Sequence, residues 1–323
     1  MECQLNKKHK EVDIDRVLRL AEDRKTFQQE IAELGRKRNE ASASRDIEAG
    51  KRLKEELKAA EEKEETVAKE LLSLLIQIPN IPSPDTPIGA DDSQNKVIRQ
   101  WGVIPQFTFT PKEHFDIAEP QGLIDTKKAG DISGARVNFI KGALVLLQFA
   151  LLQMALKIMT SEEELKKIAQ TAGLSISTKA FTPVIPPVMM RSQVMNRMAR
   201  LHPIEERYYF EKDDIVLVGS AEHTLGPLHM DEILEEKNLP IRYVGYSTAF
   251  RREAGSYGKD TKGILRQHQF DKLEMETFVR PEEGYQEQDF LVAIQEHLLQ
   301  TLGLPYQVVL VCTGDMGFPD QRQ

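Results

Sequence analysis

The chain has 323 residues, a formal net charge of -8, 29% charged side chains and a mean hydropathy of -0.42; that length allows one large core, or a core with an appendage. The acidic balance argues against broad polyanion binding but leaves room for a nucleic acid held by local basic patches. The most apolar stretch, Ala143 to Leu156, is interrupted by Gln148 and Gln153 and falls short of the ~20 apolar residues that cross a bilayer, so a buried helix and no membrane partner are expected.

Met1 to Lys10 carries no apolar targeting region. Cys3 and Cys312 lie far apart, without a CxxC or histidine company, and read as reduced thiols of a cytoplasmic protein. Acidic and basic residues nearly balance over the first eighty positions, so the acidity belongs to the remainder.

In chain order, the first piece reads as a helical hairpin. Val17, Leu20, Phe27, Ile31, Leu34 and Ala41 follow a 3-4 alternation, with Arg24 and Arg38 on its two polar steps. Leu53, Leu57, Ala60, Val67, Leu71, Leu74 and Ile78 repeat the pattern, with Glu64 as the single exception. Such spacing puts one apolar seam on each helix. Ala41 to Gly50 is small and polar and ends in a glycine suited to a turn, so the helices run antiparallel and project ~40 Å or more. Pro79, Pro82, Pro84 and Pro87 then stop the helix. The domain boundary is placed there, giving an arm over 1–82 and a second domain over 83–323. A coiled coil of this kind ordinarily serves as a spacer or dimerisation device, so the arm alone decides nothing about function.

The second piece mixes short β-rich runs with amphipathic helices, an α+β pattern. Ala143 to Met159 and Leu291 to Leu302 read as helices. Phe181 to Met190 reads as extended, and Ile215 to Gly219, Ile241 to Arg252, Gly263 to Phe278 and Tyr306 to Cys312 as strands. Strands without regular intervening helices favour an antiparallel sheet.

The chemistry concentrates in Tyr246 to Glu276, YSTAFRREAGSYGKDTKGILRQHQFDKLEME, where two β-like runs flank a glycine-rich link. It is no Walker loop: the GxxxxGKS/T spacing fails and no helix follows. Alternate strand residues share a face, which aligns Arg251 with Glu253, and Arg266 with His268, Phe270, Lys272 and Glu274. Ser220 and Glu222 are expected to pair in the same way on an earlier segment. A solvent-facing sheet shows the same alternation. Arginines, glutamates and a ring beside a glycine-rich hairpin nevertheless suit a nucleotide: guanidinium for phosphate, ring for stacking, carboxylates for an amine or metal.

FRREAGSYGKDTKGILRQHQFDKLE resembles motif 2 of class II aminoacyl-tRNA synthetases in its seryl form. FTPVIPPVMM (Phe181 to Met190) resembles motif 1, whose proline lies at that family's dimer interface. VGSAEHTLGPLH (Val218 to His229) resembles its serine-binding TAE loop, and the hairpin is similar in kind and position to its tRNA-binding arm. The resemblance runs over nearly the whole chain. It implies a class II catalytic domain with an antiparallel sheet, acting as a serine–tRNA ligase with ATP and Mg²⁺ as a homodimer. In that reaction serine's carboxylate attacks the α-phosphorus of ATP, and the seryl group then passes to the terminal ribose of tRNA(Ser), with tRNA(Sec) a further substrate.

The resemblance also implies roles. Arg251 and Arg266 become catalytic residues, on the α-phosphate and the outer phosphates. Arg252, Glu253, Gln267 and Phe270 complete the ATP site, with Phe270 stacked on adenine. Ser220, Ala221, Glu222 and Glu274 bind serine, the Ser220 hydroxyl standing in for the usual threonine. Lys259 and Lys262 are candidates for the acceptor end of tRNA. No metal ligand is assigned. The chain stops at Gln323 without the metal-binding strand and motif 3 of the family, so the catalytic domain is expected to be incomplete at its C-terminus. Two other readings stay open: a synthetase-like ligase that loads a small amino acid onto a carrier protein, and a truncated, catalytically incompetent RNA-binding protein.

Overall fold

The computed structural model describes residues 12–253 and 263–323. Two compact units divide the chain: residues 1–99 with 307–323, and residues 100–306.

In the first unit, α1 (Ile14–Ala43) and α2 (Ile47–Leu75) form the antiparallel hairpin. Asp13 and Asp46 start them, each side chain accepting a backbone N–H of the first turn, from Arg16 at 2.9 Å and Ala49 at 3.0 Å. Capping by Asp46 shortens the turn to Ser44–Asp46, with Arg45 in the left-handed region at φ 57°. Gly50, expected to close the turn, instead lies in the first turns of α2. Val17, Leu20, Ala41, Leu53, Leu57, Ala60 and Leu71 are buried along the seam. The interruptions in the two apolar patterns answer one another: Arg24 Nε donates to Glu64 Oε1 at 2.9 Å, and Gln28 reaches the same oxygen.

After the prolines comes β1 (Lys96–Trp101). It pairs with β10 (Tyr306–Leu310), and the residues around both strands interlock. Cys312, a buried free thiol, donates its backbone N–H to Asn95 Oδ1 at 2.9 Å. Gly314 lies so close to Ala90 that a Cβ would stand 2.2 Å from its carbonyl carbon, which only glycine permits.

The second unit contains, in chain order, α3 (His114–Ala118), β2 (Ile124–Asp125), α4 (Thr126–Ser133), β3 (Phe139–Ile140), α5 (Ala143–Met159), α6 (Glu162–Thr171), β4 (Thr182–Val184), β5 (Met189–Arg191), α7 (Ser192–Arg197), β6 (Tyr209–Phe210), β7 (Ile215–Leu217), α8 (Glu222–Leu225), β8 (Ile241–Phe250), β9 (Gln269–Phe278) and α9 (Gly284–Thr301). Its larger sheet has the order β4-β8-β9. β8 and β9 are antiparallel from Ile241↔Phe278 to Phe250↔Gln269, and β4 joins as a parallel edge. A second antiparallel sheet has the order β5-β7-β6. The main core sets Ile158, Met159, Leu165, Ile168, Phe181, Phe290 and Ile294 around Val244 of β8.

Three further expectations are corrected. Gly263 to His268 is irregular, and β9 begins only at Gln269. Neighbouring segments hold that stretch instead: Asn138 donates to Gly263 O at 2.7 Å, Ile264 N–H to His114 Nε2 at 3.0 Å, and His268 N–H to Arg136 O at 2.9 Å. The last helix begins at Gly284, ahead of the apolar pattern, because its first turns are anchored by charge. Glu287 forms a two-pronged ion pair with Arg242, both bonds 2.6 Å, with side chains 3% and 0% exposed. Finally, α5 is not the buried helix expected. Ile158 and Met159 are buried, but Leu146, Leu147, Phe149 and Leu151 face outward in the single chain. Among the described residues no single helix is long and apolar enough to cross a membrane.

Candidate active site

The β8–β9 register faces Gly245 with Glu274 and Ala249 with Phe270. A side chain on Gly245 would collide with Leu225, its Cβ 2.5 Å from Cδ1 and 3.4 Å from the Ala221 Cβ. Glycine there lets the short helix α8 lie against the strand, which brings Ser220, Ala221 and Glu222 to the β9 face carrying Lys272 and Glu274. Ser220 and Glu222 do not share the strand alternation expected for them: Glu222 is the first residue of α8 and Ala221 precedes it as cap.

Ser220, 2% exposed, uses its hydroxyl fully. It donates to Glu274 Oε2 at 2.9 Å and accepts from Lys272 Nζ at 3.0 Å and from the Glu222 N–H at 3.3 Å. One donor and two lone pairs are thereby satisfied. Lys272 also meets Glu274 directly, at 2.5 Å. Glu222 accepts two bonds from Arg200, at 3.0 and 2.8 Å.

Beside this carboxylate group, Arg251 donates through Nε to Gly219 O at 3.1 Å, and its guanidinium carbon lies 5.2 Å from the centroid of the Phe270 ring. Its backbone N–H donates to His268 O at 3.0 Å, continuing the ladder one pair beyond β8. Arg252 points elsewhere, over the Tyr208 ring at 5.9 Å, and no described contact joins it to Arg251. Glu253 sits at φ 51°, which breaks the strand alternation expected for it; it meets Arg266 at 3.5 Å. Gln267 donates to Gly263 O at 2.9 Å. Lys259 and Lys262 lie outside the described residues.

Side chains given no role by the sequence complete the site. Arg200, Arg207, Arg251 and Lys272 gather around His223, which is 5% exposed. Burial and those four cations depress the imidazole to about 4, so it is neutral at ordinary pH. Burial likewise lowers Arg207, whose Nε donates to Arg200 O at 3.0 Å. Glu276 was within reach of the sequence, because it continues the alternation of Lys272 and Glu274. Burial, then the negative charges of Glu222 and Glu274, raise its carboxyl from 4.5 to about 7. Arg200 and Arg207 sit in a connecting segment with no periodicity to announce them. Among the described residues no group of three or more histidine, cysteine, aspartate or glutamate side chains is arranged to hold a metal ion.

The chain is similar to known proteins over most of its length. Residues 208–322 match the model of the tRNA synthetase class II core domain (G, H, P, S and T), and residues 1–82 that of the seryl-tRNA synthetase N-terminal domain. The chain is 39% identical to a serine–tRNA ligase of Thermotoga neapolitana, over 98% of this chain and 75% of that protein. It is 40% identical to one of Bacillus cereus, over 78% of this chain and 56% of that protein. In structure it resembles the seryl-tRNA synthetase of Pyrococcus horikoshii complexed with ATP, with a TM-score of 0.79 and 32% identity, covering 96% of this chain and 73% of that one. The cytoplasmic serine–tRNA ligase of Naegleria fowleri in complex with AMP follows, at TM-score 0.76 and 26% identity, covering 96% and 70%.

The Glu276 environment gives a pH test. Its folded carboxyl holds a proton up to about 7 while the unfolded one loses it near 4.5, so the native state binds more protons across that window and stability falls as pH rises through it. Glu276→Gln, neutral throughout, should therefore gain stability over the unaltered chain by about 2 kcal/mol between about pH 5 and pH 8 in urea unfolding. An unchanged difference at the two pH values would show that the carboxyl ionises normally.

Proposed function

Because this chain belongs to the seryl-tRNA synthetase family, we propose that its β8, β9 and α8 cluster activates serine with ATP and passes the seryl group to tRNA. The observation that carries the reading is one continuous set of contacts. Arg251 lies over Phe270 and bonds Gly219 O; the next residue, Ser220, is bonded to Glu274 and Lys272. A phosphate-binding cation above a stacking ring thus stands beside an acidic pocket with a hydroxyl.

In this reading Arg251 meets the α-phosphate, Phe270 stacks on adenine, and Arg266 meets the outer phosphates, with Arg252, Glu253 and Gln267 at the margins of the ATP site. Glu274 and Glu222 receive serine's ammonium, Glu274 exchanging its contact with Lys272. Serine's carboxylate attacks the α-phosphorus and pyrophosphate leaves. The protein supplies alignment and positive charge, for which no protein nucleophile is required. Alanine in such a pocket would leave buried polar atoms unpaired, and threonine's methyl would be crowded out.

The α1–α2 hairpin engages the body of tRNA(Ser), and of tRNA(Sec) where present, while Lys259 and Lys262 meet its acceptor end. Mg²⁺ accompanies ATP. A homodimer forms through the motif 1 region, supported by the outward apolar face of α5 and by Ile185 and Met189, 84% and 56% exposed. Cytoplasmic placement goes with this role. The carrier-protein ligase and the incompetent RNA-binding protein gain no support, since the relatives reported above are serine–tRNA ligases.

Glu274→Ala should lower serine-dependent pyrophosphate exchange at least about 100-fold with the far-ultraviolet circular dichroism unchanged; undiminished exchange would refute the assignment. Deleting Val12 to Ile78 should spare exchange but lower tRNA charging at least about 100-fold, and equal charging with and without the hairpin would remove it from tRNA recognition.

A further inference from the structure

His223 is a buried titratable group that the reaction above does not use. It lies in α8, four residues after Gly219, and its ring packs on that glycine: a Cβ on Gly219 would stand 3.4 Å from His223 Cε1 and 3.6 Å from an Arg207 nitrogen. Its Nδ1 accepts the Gly219 N–H at 3.1 Å. The same peptide unit is held from its other side, where Val218 O accepts the Phe250 N–H at 2.8 Å. The following carbonyl, Gly219 O, accepts Arg251 Nε at 3.1 Å.

We propose that His223 is a positioning residue for Arg251: its neutral imidazole fixes the Gly219 backbone, whose carbonyl in turn fixes the guanidinium over Phe270. The inference rests on the reading that Arg251 serves ATP. Gly219 has no side chain to hold its own conformation, so without the imidazole its N–H is buried unpaired and its carbonyl is less firmly set. Accepting through Nδ1 requires the proton on Nε2, one defined tautomer of the neutral ring. The surroundings enforce neutrality. Arg200 and Arg207 approach from the segment before β6, Arg251 from the end of β8 and Lys272 from β9, while Glu222 on α8 is already bonded to Arg200. A proton on Nδ1 would add a fifth cation and turn the acceptor into a donor facing a donor.

Two variants separate this role from packing. His223→Asn retains a neutral acceptor near the Nδ1 position, and His223→Leu fills the space without one. Long-range ¹H–¹⁵N spectra of the unaltered chain should show Nδ1 unprotonated and Nε2 protonated at neutral pH. The Arg251 Nε–H resonance should exchange slowly in the unaltered chain and in His223→Asn, and rapidly in His223→Leu. In pyrophosphate exchange His223→Leu should lose about 100-fold in kcat/KM for ATP with the KM for serine within about twofold, and His223→Asn should recover most of the loss. A protonated Nδ1, or an Arg251 resonance indifferent to the two variants, overturns the inference whether or not the chain is active. Equal kinetic loss in both variants also overturns it. Arg251→Lys is the control for the underlying reading: unchanged ATP kinetics there would sink the ATP role of Arg251 while the resonance test still decides the contact.

Discussion

The ten-residue antiparallel ladder between β8 and β9 sets the register on which the contacts of Phe270, Lys272 and Glu274 depend. Strand side chains alternate, so a slip of one residue would send Phe270, Lys272 and Glu274 to the opposite face together. With Gly245 opposite Glu274, α8 can approach the sheet, and the approach delivers Ser220 to Glu274 and Gly219 O to Arg251. The Arg242–Glu287 pair works at the other end of the same strand. Buried between Phe181 and Phe290, it fastens the start of α9 to β8. Removing either partner alone would leave an uncompensated buried charge.

The pocket's carboxylates are offset before any ligand arrives. Arg200 covers Glu222, Lys272 covers Glu274, and Glu276, where burial and the two neighbouring carboxylates outweigh the pull of Arg200, keeps its proton toward about 7. A bare triad of carboxylates would repel itself; paired and partly protonated, it remains compact. In the proposed reading an incoming ammonium would compete with Lys272 for Glu274. The outward face of α5 is the opposite case, apolar surface that a single copy leaves uncovered.

Much of this was legible in the sequence where one period governs a segment. The 3-4 spacing of α1 and α2 gave the hairpin, and even its blemishes were informative, since Arg24 and Glu64 mark where the helices exchange a charge in place of apolar contact. The motif 2 stretch yielded the hairpin of β8 and β9 and the neighbours Arg251, Phe270 and Glu274. Legibility failed where tertiary contacts override local pattern. Glu253 takes a left-handed backbone and Gly263 to His268 is held by Asn138, His114 and Arg136, so alternation could not be extended through them. The start of α9 was hidden because a buried carboxylate takes the place of an apolar residue. Arg200 and Arg207 reach the site from an irregular segment, a placement that only the folded chain displays.

In the proposed reading Arg251 with Phe270, on the nucleotide side, and Ser220 with Glu274, on the amino-acid side, open onto one cavity. The most direct measurement is calorimetric titration of the chain with a non-hydrolysable sulfamoyl analogue of seryl-adenylate, compared with ATP and with serine. One cavity predicts that the joined ligand binds at least about 100-fold more tightly than either part, at one site per chain. An affinity no greater than that of the better part would contradict it, because the two halves would then not be open to one molecule at the same time.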